Sequence, residues 1–505
     1  MLSTRRFRLL VAVIVLSVVA LFFVMGFKPI STPEDKNQFP ESNPPEPSPP
    51  EPSPTKPAPV PSAEGITKLL DRWSTEKQSA LALNDYNGLI RHMSLYKELV
   101  GFPVRAANIH DPDVPALRLA IQELEERLFP FIDRKRQFKS IQSMRNSYIV
   151  DKGIVLTCGL GHFEFAYHTV RSIRFSVNST LPIEVFYTSV GTAKDAENIK
   201  LLAQIPNLVV KNLNDFIDPV AVAVTTFAYK PYALMASSFK EAILIDADIL
   251  FFQDPKAIFR FKGYQQTGIY LFRDRTTHNP GSKGRNMPFK MLRKLVWPPS
   301  EYVTQNSRVY LGLSDHEVDS GVVAIDKSKN FYELLLIALL NGNHFRGPLW
   351  SAFYGDKELF WIAFEMMRQP FYFERHGGGA AGYLAPDNGV CGGLFHQDDT
   401  GHPFWMNGGL VFDRHDVAGK TKTLNVTHWS TDITWTTHRW TWPHEGNPFC
   451  LYQDGQLDGQ MGSFDGTYKE AAESNHRLWI EQGPMFGRVI AAEPAKSDSV
   501  TEPKP

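Results

Sequence analysis

Apolar and polar stretches alternate regularly from Tyr148 to about Phe252. Runs rich in β-branched residues, typical of buried strands, alternate with segments in which apolar residues recur every three or four positions, as in helices. The strand-like runs are IVDKGIVLTCGL, LPIEVFYTS, NLVVKNL and EAILIDADILFF, and the helical segments between them are FEFAYHTVRSIRFS, AKDAENIKLLAQI and YKPYALMASSF. This order predicts an α/β fold with a mostly parallel sheet and helices on both faces.

Segments on either side extend this pattern. Downstream, DHEVDSGVVAID predicts a polar turn followed by a strand, and FYELLLIALLNG and YGDKELFWIAFEMM predict two helices. Further on, Gly, Trp and His become frequent, and only short strand-like pieces such as GGLVFDR are predicted. Upstream, Leu117, Ile121, Leu124 and Leu128 recur at helical spacing, which predicts a helical segment that packs on the main domain.

The N-terminus combines a basic tail, an apolar stretch and a proline-rich stretch. Residues 9–27 carry no charge and are about as long as a helix that spans a bilayer. Arg5, Arg6 and Arg8 precede them, and positive charge favours the cytosolic side of a membrane. The prolines within 28–64 favour an extended spacer. We therefore expect a single-pass type II membrane protein with a luminal domain; a cleaved signal peptide is the alternative.

These patterns divide the chain into consecutive parts. We expect a cytosolic tail (1–8), a transmembrane signal-anchor (9–27), a Pro-rich stem (28–64), a helical preface (65–145), a catalytic domain (146–450), a C-terminal extension (451–490) and a disordered tail (491–505). The extension carries no chemistry that we can interpret.

Composition excludes some classes of protein. With a formal net charge of −1 over 505 residues, the chain lacks the basic surface typical of nucleic-acid binding, and we expect no nucleic-acid partner. Its three cysteines are too few for a disulfide framework and form no CxxC metal motif. A single disulfide between Cys391 and Cys450 is compatible with an oxidising lumen, although spacing alone does not establish it.

The candidate chemistry begins with two aspartates, Asp246 and Asp248, which follow the buried run AILI. Ionised carboxylates are costly to bury, so this pair needs a partner. Ligands of parallel sheets bind at the carboxyl ends of the strands, and carboxylates there suit a hard cation, Mn²⁺ or Mg²⁺, that in turn holds a diphosphate. A second DxD motif, formed by Asp111 and Asp113, has no strand before it, and we assign it no function.

Three interpretations of Asp246 and Asp248 remain open from these residues alone. The pair could cap the next element or neutralise a buried Lys or Arg. It could belong to a phosphatase or phosphotransferase of the haloacid-dehalogenase kind, although that motif needs Thr or Val where Leu250 stands. It could hold the metal and donor diphosphate of a sugar-nucleotide transferase, which is the interpretation that we favour.

Several segments resemble a known family in their order along the chain. They are similar to the fungal Golgi α-mannosyltransferases of the α-1,3 type (glycosyltransferase family 71), through GIVLTCGLGHFEFAYHTVRSIR, LPIEVFY, YKPYALMASSFKEAILIDADILFFQDP, DSGVVAIDK and YGDKELFWIAF. The resemblance covers about residues 148–415 and extends to the tail, anchor and stem layout. It implies a GT-A fold, a GDP-mannose donor, a manganese ion (Mn²⁺, with Mg²⁺ as the alternative) and retention of the α configuration.

The resemblance also implies a set of site residues. Asp356 and Asp248 are expected to be catalytic, and Asp246, Asp248 and a late histidine are expected to hold the metal. For that histidine we favour His396 over His428. The residues expected to bind the donor are Cys158, Gly159, Lys230, Asp246, Asp319 and Ser320.

Structural roles stay open for some of these residues. Lys230 could be an exposed lysine at a helix start, and Asp319 and Ser320 could form a plain turn. Asp356 and Glu358 could cap a helix, since acidic side chains are frequent there.

Taken together, these features predict a Golgi enzyme whose luminal domain transfers mannose from GDP-mannose to a mannose-bearing glycan or glycoprotein. The alternatives are an α-1,2-mannosyltransferase, another sugar-nucleotide transferase and, without catalysis, a degenerate luminal glycan-binding protein. The triplets Asn178-Ser179-Thr180 and Asn425-Val426-Thr427 predict N-glycosylation at Asn178 and Asn425.

Overall fold

Most of the chain downstream of the proline-rich stretch is described by a computed structural model. The predicted anchor (9–27) and most of the predicted stem (28–64) lie outside the described residues. Within the part that is described, every helix is too short or too polar to cross a bilayer. The described residues are 63–79, 81–102, 113–159, 161–188, 191–223, 228–276, 287–412, 422–432, 440–441, 448–452 and 461–488.

Strands and helices are named here in chain order. The strands are β1 (Val150–Thr157), β2 (Ile183–Tyr187), β3 (Leu208–Asn212), β4 (Phe239–Ile245), β5 (Ile249–Phe251), β6 (Ile269–Arg273), β7 (Val318–Asp326), β8 (Gly379–Leu384), β9 (Gly389–Gln397), β10 (Pro403–Asn407), β11 (His428–Ser430), β12 (Trp440–Thr441), β13 (Phe449–Tyr452) and β14 (Met461–Ser463). The helices are α1 (Ala63–Glu76), α2 (Tyr86–Gly101), α3 (Asp113–Leu128), α4 (Ile141–Asn146), α5 (Phe163–Phe175), α6 (Ala193–Leu202), α7 (Pro219–Val222), α8 (Tyr229–Ala236), α9 (Lys262–Thr267), α10 (Met287–Leu295), α11 (Glu301–Asn306), α12 (Phe331–Asn341), α13 (Asn343–Ala352), α14 (Leu359–Met366) and α15 (Gly466–Gln482).

The central sheet has the strand order β3-β2-β1-β4-β7-β6. Strands β3, β2, β1 and β4 pair in parallel, and β7 runs antiparallel to both β4 and β6. This confirms the predicted α/β fold with a mostly parallel sheet. Because β7 is reversed, its first residues lie beside the carboxyl end of β4, at the edge where Asp246 follows the strand.

Alternation along β4 divides the core between the two faces of the sheet. Ala242 and Leu244 pack into one apolar cluster, together with residues of α2, α3, α8 and α12. Ile243 and Ile245 pack into a second cluster on the opposite face, with residues of α5 and α6. Helices therefore cover both faces, as the continuous apolar run AILI requires of a strand that is buried on both sides.

A second, antiparallel sheet follows the central one. It has the order β12-β13-β9-β8-β11-β14, and β10 joins β9 to β5 of the segment after Asp248. Gly382 and Gly392 pair across β8 and β9, and a Cβ atom on either would lie 1.9 Å from a carbonyl oxygen of the facing strand. The glycines thus allow unusually close strands, which is why this sheet was not evident from an alternating pattern. Cys391 and Cys450 form a disulfide that links β9 to β13. The structure therefore contains the disulfide that sequence spacing alone did not establish.

Two helical parts flank the sheets. The helices α1–α4 occupy the stretch for which helical periodicity was seen, with Leu117, Leu124 and Leu128 buried and Ile121 half-buried. At the other end, α15 packs along α5, where the His168 ring and the Asn475 carbonyl oxygen lie 2.8 Å apart. The C-terminal extension, in which no chemistry was recognised, therefore supports the helix that follows β1.

Candidate active site

The candidate site is built around the buried ammonium group of Lys230. Its Nζ lies 2.8 Å from a carboxylate oxygen of Asp246 and 3.6 Å from one of Asp356. It also donates to the Ser320 hydroxyl at 3.1 Å. Only 3% of Lys230 is exposed, so the interpretation of an exposed helix-start lysine is wrong. Instead, the lysine is the shared cation of two acidic residues that lie far apart in the sequence.

Strand pairing explains why these groups meet. Asp246 comes directly after β4, and its backbone N–H donates to the Gly321 carbonyl oxygen of β7 at 2.9 Å. This register brings Ser320, on the reversed strand, beside Asp246. Lys230 lies in the first turn of α8, the helix that precedes β4. The helix α8 and the strands β4 and β7 thus converge at one sheet edge, the edge where ligands of such sheets bind.

The electrostatics of this cluster depend on burial as well as on charge. Burial raises the pKa of Asp246 to about 6, although the Lys230 ammonium opposes the rise. Burial likewise raises the pKa of Asp356, again against the effect of Lys230. For Lys230, burial alone would lower the pKa, but the neighbouring carboxylates raise it above its usual value. Lys230 therefore stays charged, and Asp246, a quarter of whose side chain is exposed, has a pKa that lies close to neutral pH.

Asp356 has a role in this cluster rather than at a helix end. Helix α14 begins at Leu359, with Glu358 before it, and no side-chain cap is present there. Asp356 is 3% exposed, and the Ser320 hydroxyl lies 3.5 Å from its carboxylate. Glu358 is fully buried and accepts from the Glu317 N–H and the Trp361 ring N–H. The helix-cap alternative is therefore wrong for both residues.

Asp248 lies at the junction between the two sheets. It precedes β5, which pairs with β10, and its carbonyl oxygen accepts the Gly409 N–H at 2.9 Å. The side chain is half-buried, as is that of Asp246. The two predicted aspartates therefore both stand at the carboxyl edge of β4, while β5 turns away from it to join the second sheet.

Asp319 and His396 form a separate pair in the same region. The His396 Nε2 atom lies 3.1 Å from an Asp319 carboxylate oxygen, and the Asn407 amide donates to the other at 3.3 Å. The His396 ring stacks on Trp405 at 4.1 Å, which holds it in place. Burial is the largest single effect and favours the neutral carboxyl, but the hydrogen bond and electrostatic attraction of His396, together with the hydrogen bond from the Gly321 N–H, outweigh it, and the pKa of Asp319 is lowered. The plain-turn alternative is wrong, since Asp319 and Ser320 belong to β7.

The predicted metal ligands do not form one cluster. Asp246 is paired with Lys230, and His396 is paired with Asp319. In the described ranges, no group of three or more His, Cys, Asp or Glu side chains has the geometry to hold a metal ion. His428, the alternative histidine, lies 2.9 Å from the Thr427 hydroxyl. The described residues therefore do not fit a preformed three-ligand metal centre, and a metal role for Asp246, Asp248 and His396 stays a prediction.

The residues after β1 complete this edge. Cys158 is 2% exposed, and its N–H donates to the Phe186 carbonyl oxygen at 2.8 Å. Burial raises the pKa of the Cys158 thiol to about 12, so the thiol is unreactive at neutral pH, as expected of a small core residue. Gly159 follows it and has room for a Cβ atom, which would lie 3.6 Å from the His162 ring. A donor-binding role for Cys158 and Gly159 stays a prediction.

A buried charged network beside the cluster was missed from the sequence. Lys357 donates to Asp274 at 2.6 Å, and Arg273 donates to Glu317 at 2.9 Å, with both acids almost fully buried. Lys357 directly follows Asp356, so this network holds the backbone that carries Asp356. The only sequence signal was the density of charge in the segments LFRDR and GDKE, which are far apart in the chain.

Comparisons with known proteins place the region that carries this site in a family. Residues 151–399 match the family model described as "Mannosyltransferase putative". The "Putative alpha-1,3-mannosyltransferase MNN1" of Candida albicans is 27% identical over 60% of this chain and 43% of its own length. The "Alpha-1,3-mannosyltransferase MNT3" of Saccharomyces cerevisiae is 26% identical over 51% of this chain and 46% of its own length. The chain thus spans less than half the length of either relative.

Solved structures share only a low similarity with the chain. The structure of the mannosyltransferase Ktr4p of S. cerevisiae is 11% identical to this chain. The alignment covers 61% of this chain and 84% of Ktr4p, with a TM-score of 0.29. A similarity this low carries no conclusion about fold or activity. The family match rests on sequence rather than on structural similarity. Its range includes Lys230 and the residues around it, Asp246, Ser320 and Asp356. The region that carries the site, residues 151–399, belongs to this mannosyltransferase family.

Proposed function

We propose that the chain is a retaining glycosyltransferase of the GT-A type that moves mannose from GDP-mannose to a mannose-bearing glycan or glycoprotein, in α-1,3 linkage. One observation carries the proposal: Lys230, Asp246, Ser320 and Asp356 meet at the carboxyl edge of β4, within the part of the chain that matches the mannosyltransferase family. The names of the relatives, which are alpha-1,3-mannosyltransferases, support the donor sugar and the linkage.

The residues of the cluster suit distinct tasks in such a transfer. In the proposed reaction an acceptor hydroxyl attacks the sugar carbon on the face from which the diphosphate leaves. Lys230 supplies a fixed positive charge that stabilises the charge developing on the leaving group, because a preorganised buried charge needs no reorganisation. Asp356 and Ser320 lie beside it and would orient the sugar hydroxyls. The leaving phosphate takes the acceptor proton, so no separate nucleophile or base is assigned.

A divalent cation, Mn²⁺ or Mg²⁺, belongs to the proposal as a partner of the donor. Asp246 and Asp248 are the carboxylates that would meet it, since hard cations prefer oxygen ligands. When bound, it would neutralise charge on the diphosphate. Because the described residues do not form a three-ligand centre, no step of the transfer is assigned to the cation.

The proposed location is the Golgi membrane, with a single type II span at residues 9–27 and the catalytic region in the lumen. The charge-free stretch and the preceding Arg5, Arg6 and Arg8 support this topology. Protease protection in intact vesicles, with tags at both termini, tests it. Digestion of a C-terminal tag in sealed vesicles would contradict a luminal catalytic region.

The decisive experiment measures donor choice and product together. The purified chain is incubated with a panel of GDP- and UDP-sugars and a mannoside acceptor, with and without Mn²⁺. We expect transfer from GDP-mannose only, and an α-1,3-linked product by NMR. An α-1,2 linkage, or transfer from another donor, would contradict the proposed linkage or donor. The chain would then still be a sugar-nucleotide transferase. Lack of binding to any sugar nucleotide would favour a glycan-binding protein instead.

A further inference from the structure

A groove of about 530 Å³ opens where α5 ends and α15 begins. Its wall includes Phe175 and Asn178 after α5, Asp254 after β5, and Tyr468 and Arg477 of α15. Helix α5 passes the candidate active site, where the Thr169 hydroxyl donates to the Ala247 carbonyl oxygen at 2.7 Å, and it ends at the groove about 9 Å further along its axis. The volume falls within the range of about 300–1,000 Å³ that is common for small-ligand sites.

Asn178 holds its position in the groove through a tight turn. Its φ angle is +51°, in the left-handed region that Asn tolerates better than other residues with a side chain. The following Ser179 N–H donates to the Ile173 carbonyl oxygen at 2.9 Å, and Arg174 donates to the Ser179 carbonyl oxygen at 2.8 Å. Asn178 and Thr180 are exposed, so both sequon side chains are accessible on a rigid turn.

Phe175 is an unusual neighbour for this asparagine. It is three residues earlier, lines the same groove, and is 53% exposed. An aromatic face is electron-rich and packs favourably against the polarised C–H groups of a flat ring surface, such as one face of a pyranose. At the rim, Glu470 and Arg477 are exposed and can bond to hydroxyl groups. An aromatic face with charged groups around it suits a carbohydrate.

We propose that Asn178 carries an N-linked glycan whose first N-acetylglucosamine packs on Phe175 and whose following sugars lie in the groove against α15. The inference goes beyond the proposed transfer reaction and rests on the proposed luminal location. The donor is a polyprenyl-diphosphate-linked oligosaccharide. A bond forms between sugar C1 and the Asn178 Nδ2 atom, the C1–O bond to the diphosphate breaks, and the amide loses one proton.

The position of the glycan has a structural consequence. Near the groove, α5 and α15 meet through polar contacts, such as the 3.0 Å hydrogen bond between Ser176 and Ser474. A glycan attached beside α5 and lying on α15 would bridge the two helices. Since α5 follows β1 directly, this bridge would stabilise the folded domain rather than take part in the reaction.

The test uses variants that leave the strained position untouched. Thr180→Ala removes the sequon while keeping Asn178, and Thr180→Ser retains it as the matched control. Full-length chains are produced in a eukaryotic secretory host, and the peptide containing Asn178 is analysed by mass spectrometry. We expect a glycan in the wild type and in Thr180→Ser and none in Thr180→Ala, with a thermal midpoint lower by about 1–3 °C in Thr180→Ala alone.

Docking in the groove is tested separately from attachment. Phe175→Ala should keep the glycan, and peptide N-glycosidase should release it from the native protein at least about fivefold faster than from the wild type. An unmodified Asn178 in the wild type would overturn the proposal, and equal release rates in the two proteins would overturn the docking. Transfer activity is not a readout here, so failure of the proposed transfer reaction would produce neither result. A catalytic region outside the lumen would leave Asn178 unmodified, and the protease-protection assay identifies that case.

Discussion

Replacing Lys230 with methionine leaves Asp246 and Asp356 facing each other without the cation that they share. In the wild type, the ammonium group lies 2.8 Å from Asp246 and 3.6 Å from Asp356. Removing one partner of a buried ion pair costs about 3–5 kcal/mol, because the other charge stays buried and uncompensated. A quarter of the Asp246 side chain is exposed, so we expect the lower end of that range, about 3 kcal/mol at neutral pH.

The loss should depend on pH, because the carboxylates can take up protons. With Lys230 present, burial already raises the pKa of Asp246 to about 6; without the ammonium the pKa rises further. When folding raises the pKa of an acid, the free energy of unfolding falls as the pH rises from the pKa of the unfolded state, about 3.9 for Asp, to the pKa of the folded state. The free energy of unfolding of the wild type stops falling above about pH 6, whereas that of Lys230→Met keeps falling. The difference in unfolding free energy between the two proteins should therefore widen by about 2 kcal/mol between pH 6 and 7.5.

The assay combines unfolding with kinetics. Thermal midpoints and denaturant unfolding are measured at pH 5.5 and 7.5 for Lys230→Met and for a double variant that adds Asp246→Asn. The double variant should regain part of the stability, because it removes both charges of the Lys230–Asp246 pair and leaves only Asp356 without its cation. Transfer should be slower in both variants, with a raised KM for the sugar nucleotide.

A matched control comes from Lys327, another fully buried lysine. It lies at the opposite end of β7 and donates to the carbonyl oxygens of Leu234 and Ser237 rather than to carboxylates. Lys327→Met should lose stability but keep the KM for the donor. The reasoning would be refuted if the gap between Lys230→Met and wild type were the same at pH 5.5 and 7.5, or if the double variant were as unstable as the single one.

Three other predictions test the proposed reaction. Asp248→Asn should lower kcat/KM for transfer by about 100-fold with an unchanged thermal midpoint. As a control, Asp113→Asn, in the other DxD motif, should leave both quantities unchanged. An unfolded Asp248→Asn protein would instead show that Asp246 and Asp248 have a structural role. In the wild type, kcat/KM should fall below about pH 6, where Asp246 becomes protonated, and a flat profile from pH 5 to 8 would contradict this. Removal of divalent cations by a chelator should abolish transfer and added Mn²⁺ should restore it; full activity after chelation would remove the cation from the proposal.

Local patterns in the sequence were enough to predict the central architecture. Strands buried on both faces require continuous apolar runs, and AILI before Asp246 is such a run. The same reasoning placed Asp246 and Asp248 at the carboxyl edge of a strand, before any family resemblance was used. Periodicity also predicted helix in the stretch that contains α3, since Leu117, Leu124 and Leu128 all face the core. The second sheet was not predicted, because its Gly-rich strands show little alternation.

The partners of each charge were decided by the tertiary structure alone. Asp246, the acid with which the candidate chemistry began, is held by a lysine from the preceding helix, and that lysine also faces Asp356, a residue from a much later part of the chain. His396 meets Asp319 rather than the aspartates with which it was predicted to share a metal. Such contacts depend on strand order and register, which long-range packing fixes and local propensity does not encode. The sequence alone therefore predicted which residues are candidates for the chemistry, and the fold determined which of them meet.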